Sequence, residues 1–456
     1  MALGLSPTES KTAYSLATVF AARMLGLFMI MPVFALYGSE LDGYAPLWVG
    51  LAIGAYGLTQ ALFQIPMGLA SDRFGRKPII YFGLLLFFIG SVVSALSDSV
   101  YGVTIGRALQ GMGAISSVVL ALAADLTRDE NRPKVMALIG MFIGISFAVA
   151  LVAGPVLAPK LHLPGLFWLT SGLAIVSCLL VWRAVPNTVS SAPKGDVAPI
   201  PSRLKQMASD PQLSRLNIGI FALHLVMTAM FVGLPGELIR AGYEAPSHWH
   251  VYLPTLLLSF VLMIPVLIVT GKKRNSRGGV RFAQLLLIAS LILFAFAPTN
   301  WLLVTGIIVF FTGFNYLEAT LPTLIARFAP AGAKGSAMGI YASSQFFGAF
   351  LGGVLGGVLV QWYSVQILFW AAAFIVVLWG IAAWGMQEAG RYRSVTLNLP
   401  EDEQGIPSPT WLMEQLQQLP GVKEVTVVAG EGLTYLKVDE TFELATAKAV
   451  VAGRQS

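Results

Sequence analysis

Long apolar runs, separated by short polar segments, make up most of the chain. Each run has about 20 residues, which is enough for a helix to cross the roughly 30 Å hydrocarbon layer of a membrane. A helix is the expected form because it satisfies its own backbone hydrogen bonds where no water is present. The pattern therefore predicts an all-α membrane protein with twelve transmembrane helices in two six-helix bundles. The predicted spans are about 12–37, 47–70, 78–97, 101–125, 135–159 and 165–185, then about 215–239, 248–270, 279–298, 301–326, 335–362 and 365–387.

A polar segment from Pro186 to Pro211 separates the two sets of spans, and its Pro, Ser and Lys residues are typical of a surface linker. The two halves are weakly similar, as in transporters that arose by internal duplication. The predicted divisions are an N-terminal bundle over 1–186, a cytoplasmic linker over 187–214, a C-terminal bundle over 215–390 and a small cytoplasmic domain over 391–456.

The last part of the chain has a different character. Alternating apolar positions predict strands over Val395–Leu399, Val422–Val428 and Leu433–Val438, and helical spacing predicts helices over Pro409–Leu419 and Thr441–Val451. The order β-α-β-β-α predicts a small α+β domain of ferredoxin-like topology whose last strand is short or absent. This topology resembles that of heavy-metal-associated domains, but the segment has neither Cys nor His, so a thiolate copper site is excluded. A module for regulation or self-association is the remaining expectation.

Composition and charge agree with a membrane protein. Hydrophobic residues make up 56% of the chain and charged residues only 11%, whereas soluble domains have about 25% charged residues. Lys and Arg concentrate in alternate loops, and the opposite loops hold only Lys160 and Arg240. The positive-inside rule therefore places both termini in the cytoplasm, and we expect a multi-pass protein of a bacterial inner (cytoplasmic) membrane. These loop residues also explain the net charge of +6, so no nucleic-acid partner is expected.

The most specific signal is the run from Gly68 to Lys77, GLASDRFGRK, between the second and third spans. A basic loop that obeys the positive-inside rule would account for Arg73 and Lys77, but not for the acidic Asp72 or the two glycines. Gly75 lets the chain turn between the two helices. The run closely resembles the loop signature of the major facilitator superfamily.

That resemblance implies that the loop acts as a conformational latch between the two bundles. Asp72 would approach the N-terminus of the eleventh helix near Gly335 and Ser336, where the helix dipole favours an anion. Arg76 would pair with Asp125 at the end of the fourth helix. The implied latch residues are Gly68, Asp72, Arg73, Gly75, Arg76, Lys77 and Asp125.

Two further runs fit the same family. The run Arg107–Gly113 in the fourth span resembles a second motif of the superfamily, although an arginine there would also reach the nearby interface by snorkelling. Gly144, Gly154 and Pro155 in the fifth span resemble the glycine–proline motif associated with antiporters, with Ala158 where a glycine is usual. Ordinary packing of small residues between helices is the alternative interpretation.

Four ionisable residues lie within predicted spans one, four, seven and ten, which line the central cavity in the superfamily. They are Arg23, Arg107, His224 and Glu318. Glu318 is the only carboxylate deep within a span, so we predict that it is the principal proton-coupling residue, with His224 as a second, although a lone His in an apolar helix also serves packing. A structural ion pair of Glu318 with either arginine is the alternative. The predicted substrate-cavity residues are Arg23, Arg107, Asn315, Tyr316 and Gln345.

These features predict a proton-coupled secondary active transporter of the drug/proton antiporter type, which exports small compounds by alternating access. One alternative is a proton-coupled or passive importer of a metabolite, and another is a transporter-derived sensor that signals through the C-terminal domain. The sequence has no nucleophile–base pair, metal-ligand cluster or Walker-type loop, so we expect no enzyme activity, no metal site and no cofactor, with the proton gradient as the energy source. The expected partners are a small-molecule substrate, protons and the lipid bilayer.

Overall fold

The computed structural model describes residues 4–128, 131–186, 201–272, 275–296, 300–388, 390, 392–399, 409–428 and 432–451. The helices of the first half are α1 (Pro7–Tyr37), α2 (Pro46–Phe74), α3 (Arg76–Ala95), α4 (Val100–Met112), α5 (Ser116–Asp125), α6 (Arg132–Ala184) and α7 (Pro201–Ser209). Those of the second half are α8 (Pro211–Arg240), α9 (Trp249–Lys272), α10 (Ser276–Ala295), α11 (Asn300–Phe328), α12 (Lys334–Trp362) and α13 (Val365–Ala382). The C-terminal domain contains β1 (Arg393–Asn398), α14 (Pro409–Gln417), β2 (Val422–Val428), β3 (Leu433–Val438) and α15 (Leu444–Val451).

Helix α6 contains two membrane spans. It has 53 residues, which is about 80 Å at 1.5 Å per residue and more than twice the thickness of the hydrocarbon layer. Its helical geometry is broken at His162, where φ is 52° and ψ is −178°. Within the described residues eleven helical segments are long and apolar enough to cross a membrane, and counting α6 twice gives twelve.

The two ends of α6 lie on the same side of the molecule. Arg132, in its first turn, donates from Nε to a carbonyl of the last turn of α5 at 3.1 Å. Lys77 donates from Nζ to the backbone carbonyl directly after α6 at 2.9 Å. These two bonds are neighbours in space because Arg76 and Asp125 form an ion pair. The chain therefore reverses within α6, and the predicted twelve transmembrane helices in two bundles are confirmed.

The fourth span is interrupted, which the sequence analysis did not predict. The single run 101–125 is divided into α4 and α5 at Gly113, where ψ is 43°. A Cβ on Gly113 would lie 2.3 Å from the carbonyl oxygen of Gly83 in α3. Glycine is therefore required for the close approach of α3 at the point where the helix breaks.

The segment between the bundles contains a helix that the sequence analysis also missed. Residues 201–209 form α7, and Met207 is buried; residues 187–200 of the predicted linker lie outside the described part of the chain. Helix α8 then begins at Pro211, four residues earlier than predicted. Its N-terminus is capped by Asp210, whose carboxylate accepts hydrogen bonds from the amides of Gln212 and Leu213 at 2.8 Å.

The two bundles meet along α2 and α12, at the predicted periplasmic end of both helices. A Cβ on Gly50 would lie 2.1 Å from the carbonyl oxygen of Gly353, so only glycine permits this approach. The amide of Leu47 donates to Gln361 Oε1 at 3.1 Å, and Ser343 Oγ donates to the carbonyl of Ala61 at 3.1 Å. We call this contact the α2–α12 seam; it comprises residues 46–61 of α2 and 343–361 of α12.

The C-terminal domain has the ferredoxin-like arrangement that the sequence predicts. Its strands form an antiparallel sheet in the order β1-β3-β2, and a fourth strand is not found among the described residues of the domain. Leu412 and Leu416 of α14 and Leu436 of β3 are fully buried in its core. The prediction of a small α+β domain after the membrane helices is confirmed.

This domain rests on the loop between α11 and α12. Lys437 Nζ donates to the carbonyl of Ala329 at 3.2 Å and to that of Phe328 at 3.5 Å, at the C-terminus of α11, where the helix dipole favours a cation. Leu433 and Tyr435 pack with Ala331. The contact is small beside the domain's own hydrophobic core, so we expect the membrane helices to fold without it.

We predict that truncation after Arg393 leaves a protein that still inserts as a twelve-helix unit. The expected changes are confined to regulation or assembly, because the removed residues form their own core. Membrane fractionation and a C-terminal fluorescent reporter measure insertion, with the full chain as the control. A truncated chain that fails to reach the membrane fraction would contradict this prediction.

Candidate functional site

A hydrogen-bonded group of three side chains joins three helices of the C-terminal bundle. His224 Nε2 of α8 lies 3.1 Å from Glu318 Oε2 of α11. Gln345 Nε2 of α12 lies 2.7 Å from the same His224 nitrogen and donates to Glu318 Oε1 at 3.2 Å. The structure thus brings together both residues predicted for proton coupling and one predicted for the cavity.

Glu318 lies within α11, away from both ends of the helix, and its side chain is only partly buried. Its side chain is 40% exposed, whereas that of His224 is 7% exposed. An imidazole nitrogen can donate to a carboxylate or accept from a carboxylic acid, so the contact suits either role of His224. The alternative of an ion pair between Glu318 and Arg23 or Arg107 is wrong, because the partner of Glu318 is His224.

The two arginines form a separate group in the N-terminal bundle, around Tyr56 of α2. Arg23 Nη2 donates to Tyr56 Oη at 3.0 Å and to Gln60 Oε1 at 2.7 Å. Arg107 lies over the same ring, with its Cζ 5.0 Å from the centroid, and donates from Nη1 to Gln110 Oε1 at 2.9 Å. Both guanidiniums are buried, so neither snorkels to the membrane surface.

The structure does not place Asn315 and Tyr316 beside the Glu318 carboxylate. Asn315 Nδ2 donates to Ser259 Oγ at 3.0 Å, and Tyr316 Oη donates to Thr270 Oγ1 at 3.2 Å. Both partners belong to α9, and both side chains are buried between helices of the C-terminal bundle. A helical rotation of about 100° per residue directs neighbouring positions to different sides, which the sequence analysis did not apply to these two residues.

Sequence reasoning also missed the residues that surround the arginines. Tyr56, Gln60 and Gln64 are spaced four apart along α2 and therefore share one face. Gln60 Nε2 donates to Gln64 Oε1 at 2.9 Å, which continues the chain that starts at Arg23. Two glutamines at this spacing in an apolar run were the available signal.

The loop signature forms a compact ion-pair group at the end of α2. Arg76 Nε donates to Asp125 Oδ2 at 3.1 Å, Nη1 donates to Ser71 Oγ at 2.6 Å, and the same nitrogen pairs with Asp72. Gly75 has φ 92°, a conformation that only glycine adopts without strain. The carbonyl of Gly68 accepts a hydrogen bond from Ser71 Oγ at 2.6 Å.

Arg73 and the predicted contact between the bundles are not part of this ion-pair group. Arg73 lies over the ring of its neighbour Phe74, 5.5 Å from the centroid. Within the described residues, the Asp72 carboxylate bonds to Arg76 and makes no hydrogen bond to Gly335 or Ser336. The bundles instead meet at the opposite, predicted periplasmic end, along the α2–α12 seam, and the cross-bundle contact predicted for the latch is not formed among the described residues.

The glycines of the antiporter-like motif occupy unlike positions. A Cβ on Gly154 would lie 2.6 Å from the carbonyl oxygen of Met29, so this glycine permits the close approach of α6 to α1. Gly144 has open space around it. Pro155 follows Gly154 within α6 and removes one helix hydrogen bond next to this crossing.

The chemistry available to these groups is proton exchange and the binding of polar or charged solutes. Among the described residues, no group of three or more His, Cys, Asp or Glu side chains is arranged to hold a metal ion. The titratable groups instead lie on different helices of the two bundles, where a relative movement of the bundles would change their surroundings.

Two six-helix bundles that meet in this way define a class of membrane transporter. A family model described as Major Facilitator Superfamily matches residues 16–316 and 256–420. The chain therefore belongs to the major facilitator superfamily, as its loop signature predicts.

Individual relatives agree with this assignment. The chain is 42% identical over 436 residues to the inner membrane transport protein YajR of Escherichia coli strain K12, and the match covers 95% of each chain. It is 27% identical over 338 residues to the multidrug resistance protein MdtH of Proteus mirabilis strain HI4320, which covers 72% of this chain and 82% of that one. A solved bacterial homologue of the human lysosomal transporter Spinster, in an inward-facing and unoccupied conformation, has a TM-score of 0.64 and 16% identity, covering 84% of this chain and 96% of that one. This last likeness shows the fold alone.

We predict that Asp72→Asn shifts the protein toward the state that is open on the cytoplasmic side. The carboxylate that would stabilise the N-terminus of α12 in the opposite state is then neutral, and such a contact contributes about 0.3–1 kcal/mol. Spin labels on cysteines at Phe74 and Arg277, in a Cys178→Ser background, report the separation of the bundles at this end. Asp42→Asn, an exposed carboxylate on the opposite side, is the matched control. An unchanged distance distribution in the Asp72 variant would refute the latch.

We predict that Gly353→Ala opens the α2–α12 seam. The new Cβ would lie 2.3 Å from the carbonyl oxygen of Gly50, a contact that only separation of the two backbones relieves. Spin labels at Tyr44 and Tyr363, which are exposed near the seam, should move apart. Gly172→Ala is the control, because nothing lies within 4 Å of a Cβ there. Equal label distances in both variants would show that the seam is not a closed contact.

Proposed function

We propose that this protein is a proton-coupled secondary transporter of an inner membrane, which exports small, drug-like compounds by alternating access. The observation that carries the proposal is the contact of Glu318 with His224 and Gln345 across α8, α11 and α12. A proton-coupled transporter needs a titratable group that senses the movement of its helices. Within the described part of the transmembrane helices, Glu318 is the carboxylate that lies farthest from a span end.

Glu318 is suited to carry the proton because its surroundings offer partners for both of its protonation states. When Glu318 is ionised, a protonated His224 nitrogen donates to its carboxylate. When Glu318 is protonated, its hydroxyl donates to the unprotonated His224 nitrogen, while the Gln345 amide continues to bond Oε1. Glu318 therefore keeps a hydrogen-bond partner in both states, while the Gln345 Nε2–His224 Nε2 contact of 2.7 Å is favourable when the His224 nitrogen is unprotonated and accepts.

The energy available from such a proton is sufficient for export. A proton that moves down a potential of 100 mV releases about 2.3 kcal/mol, which supports a substrate gradient of roughly 50-fold. The similarity to a multidrug resistance protein favours drug-like compounds and export. Import of a metabolite uses the same fold and would reverse the sign of the proton flux in the test below.

We expect Glu318→Gln to abolish proton-driven transport while sparing substrate exchange, because glutamine keeps the hydrogen bonds of the protonated acid but cannot release a proton. Proteoliposomes loaded with a pH-sensitive dye measure proton flux when members of a compound library are added. Counterflow of an active compound, without a pH difference, measures exchange. Wild-type protein should show both activities and the variant only the second.

Glu237→Gln is the matched control for this experiment. Glu237 is also a membrane-helix carboxylate, but it lies near the end of α8 and pairs with Arg240 at 2.6 Å. Its replacement should leave proton flux intact. If Glu318→Gln still accumulates a compound against its gradient under a pH difference, Glu318 is not the coupling residue and the proposal fails.

A further inference from the structure

The Arg23 and Arg107 guanidiniums retain donors that no described residue accepts. Arg23 is 3% exposed and Arg107 is 1% exposed. The Nε and Nη1 atoms of Arg23, and the Nε and Nη2 atoms of Arg107, have no hydrogen-bond partner. Buried donors of this kind are rare, because each lost hydrogen bond to water is a cost that folding must otherwise recover.

The partners that these two arginines do have are all uncharged. Tyr56 and Gln60 accept from Arg23, and Gln110 accepts from Arg107. Gln110 is itself held by Ser91, to which its Nε2 donates at 2.8 Å. No ion pair joins either guanidinium to a carboxylate within the described residues. The neutral amides therefore fix the direction of each guanidinium without compensating its charge.

Two uncompensated cations at one ring are unfavourable in the absence of a further group. Arg23 and Arg107 both lie over Tyr56, with Cζ at 6.0 Å and 5.0 Å from its centroid. The two Cζ atoms are therefore at most about 11 Å apart (6.0 Å plus 5.0 Å). Like charges at such a separation repel one another more strongly in a low-dielectric interior than in water, and an unpaired buried ion is costly in itself. A protein retains two buried cations of this kind when a ligand that binds between them offsets the cost of their charge.

We propose that Arg23 and Arg107 bind the carboxylate of a small organic anion with an apolar ring, and that such anions are the substrates of this transporter. A carboxylate has two oxygens that accept paired N–H donors from a guanidinium. Aromatic rings adjoin the site: Phe87 lies under Arg23, 5.6 Å from its Cζ, and Phe346 packs against Tyr56 at 6.5 Å between centroids. The cations supply affinity for the charged end, and the rings supply it for the apolar end.

The position of the site explains how it would alternate between buried and accessible. Phe346 belongs to α12 and Tyr56 to α2, so this ring pair spans the α2–α12 seam. A Cβ on Gly57 would lie 2.6 Å from the carbonyl oxygen of Phe346, so α2 and α12 are in close contact directly next to Tyr56. Separation of the bundles withdraws Phe346 and opens the site from that side.

The proposal rests on the proposed transport function, but its test uses binding alone and no proton gradient. Purified full-length protein is titrated with sodium benzoate and with benzamide, a neutral analogue of the same shape, at constant ionic strength. The thermal unfolding midpoint is recorded by intrinsic fluorescence. Benzoate should raise the midpoint of the wild-type protein by several degrees and benzamide should not.

The variants Arg23→Gln and Arg107→Gln should each weaken the apparent benzoate affinity at least tenfold. Without benzoate, their midpoints should equal or exceed that of the wild type, because an uncompensated charge has been removed; a structural arginine would give the opposite result. Arg23→Lys and Arg107→Lys keep the charge and should retain more of the benzoate effect than the glutamine variants. Arg281→Gln is the matched control, since Arg281 stacks on Trp384 outside this site, with Cζ 4.5 Å from the ring centroid.

Three results would overturn the anion site: no midpoint shift with benzoate, equal shifts with benzoate and benzamide, or unchanged benzoate affinity in both glutamine variants. Failure of proton coupling is a separate result. A protein that binds benzoate through these arginines but moves no protons would refute the proposed energy source and leave the anion site standing.

Discussion

Inside a bilayer a polar group finds partners only within the protein, because hydrocarbon neither donates nor accepts a hydrogen bond. This constraint makes each embedded polar side chain informative. Many of those described here are satisfied by a neighbour on another helix, as Asn315 is by Ser259 and Gln110 by Ser91, and as Glu318 is by His224 and Gln345. Among the charged side chains described, the two arginines around Tyr56 keep buried donors without a partner. The inference of an anion site rests on these two arginines.

The same constraint explains the glycines of the α2–α12 seam. Helices in lipid gain little from hydrophobic burial against one another, so close backbone packing of small residues has to hold them together. Gly50 and Gly353 bring two backbones together where a single Cβ would not fit. The contact at Gly50 and Gly353 consists of backbone, and it can be broken and remade without repacking a side chain at these two positions. That property suits the proposed alternating access, in which two bundles separate on one side of the membrane at a time.

The polar groups are divided between the bundles by type. The N-terminal bundle holds the two cations and their neutral amide partners, and the C-terminal bundle holds the group of Glu318, His224 and Gln345. A movement of one bundle against the other changes the environment of both groups together. Under the proposed function, such shared dependence on one conformational equilibrium would couple binding at one place to protonation at another.

The sequence by itself determined the number of spans, the two-bundle fold, the family and the topology of the C-terminal domain, because these follow from periodicity and from a contiguous signature. Hydrophobic runs of fixed length and the GLASDRFGRK run are local features that need no knowledge of contacts. The tertiary structure alone decided which polar residues meet. Glu318 and His224 are 94 positions apart, and sequence reasoning allowed Arg23 or Arg107 as the partner of Glu318 equally well. The direction of a side chain around its helix, and the break at Gly113 imposed by the approach of α3, depend on neighbours that lie far away in the chain.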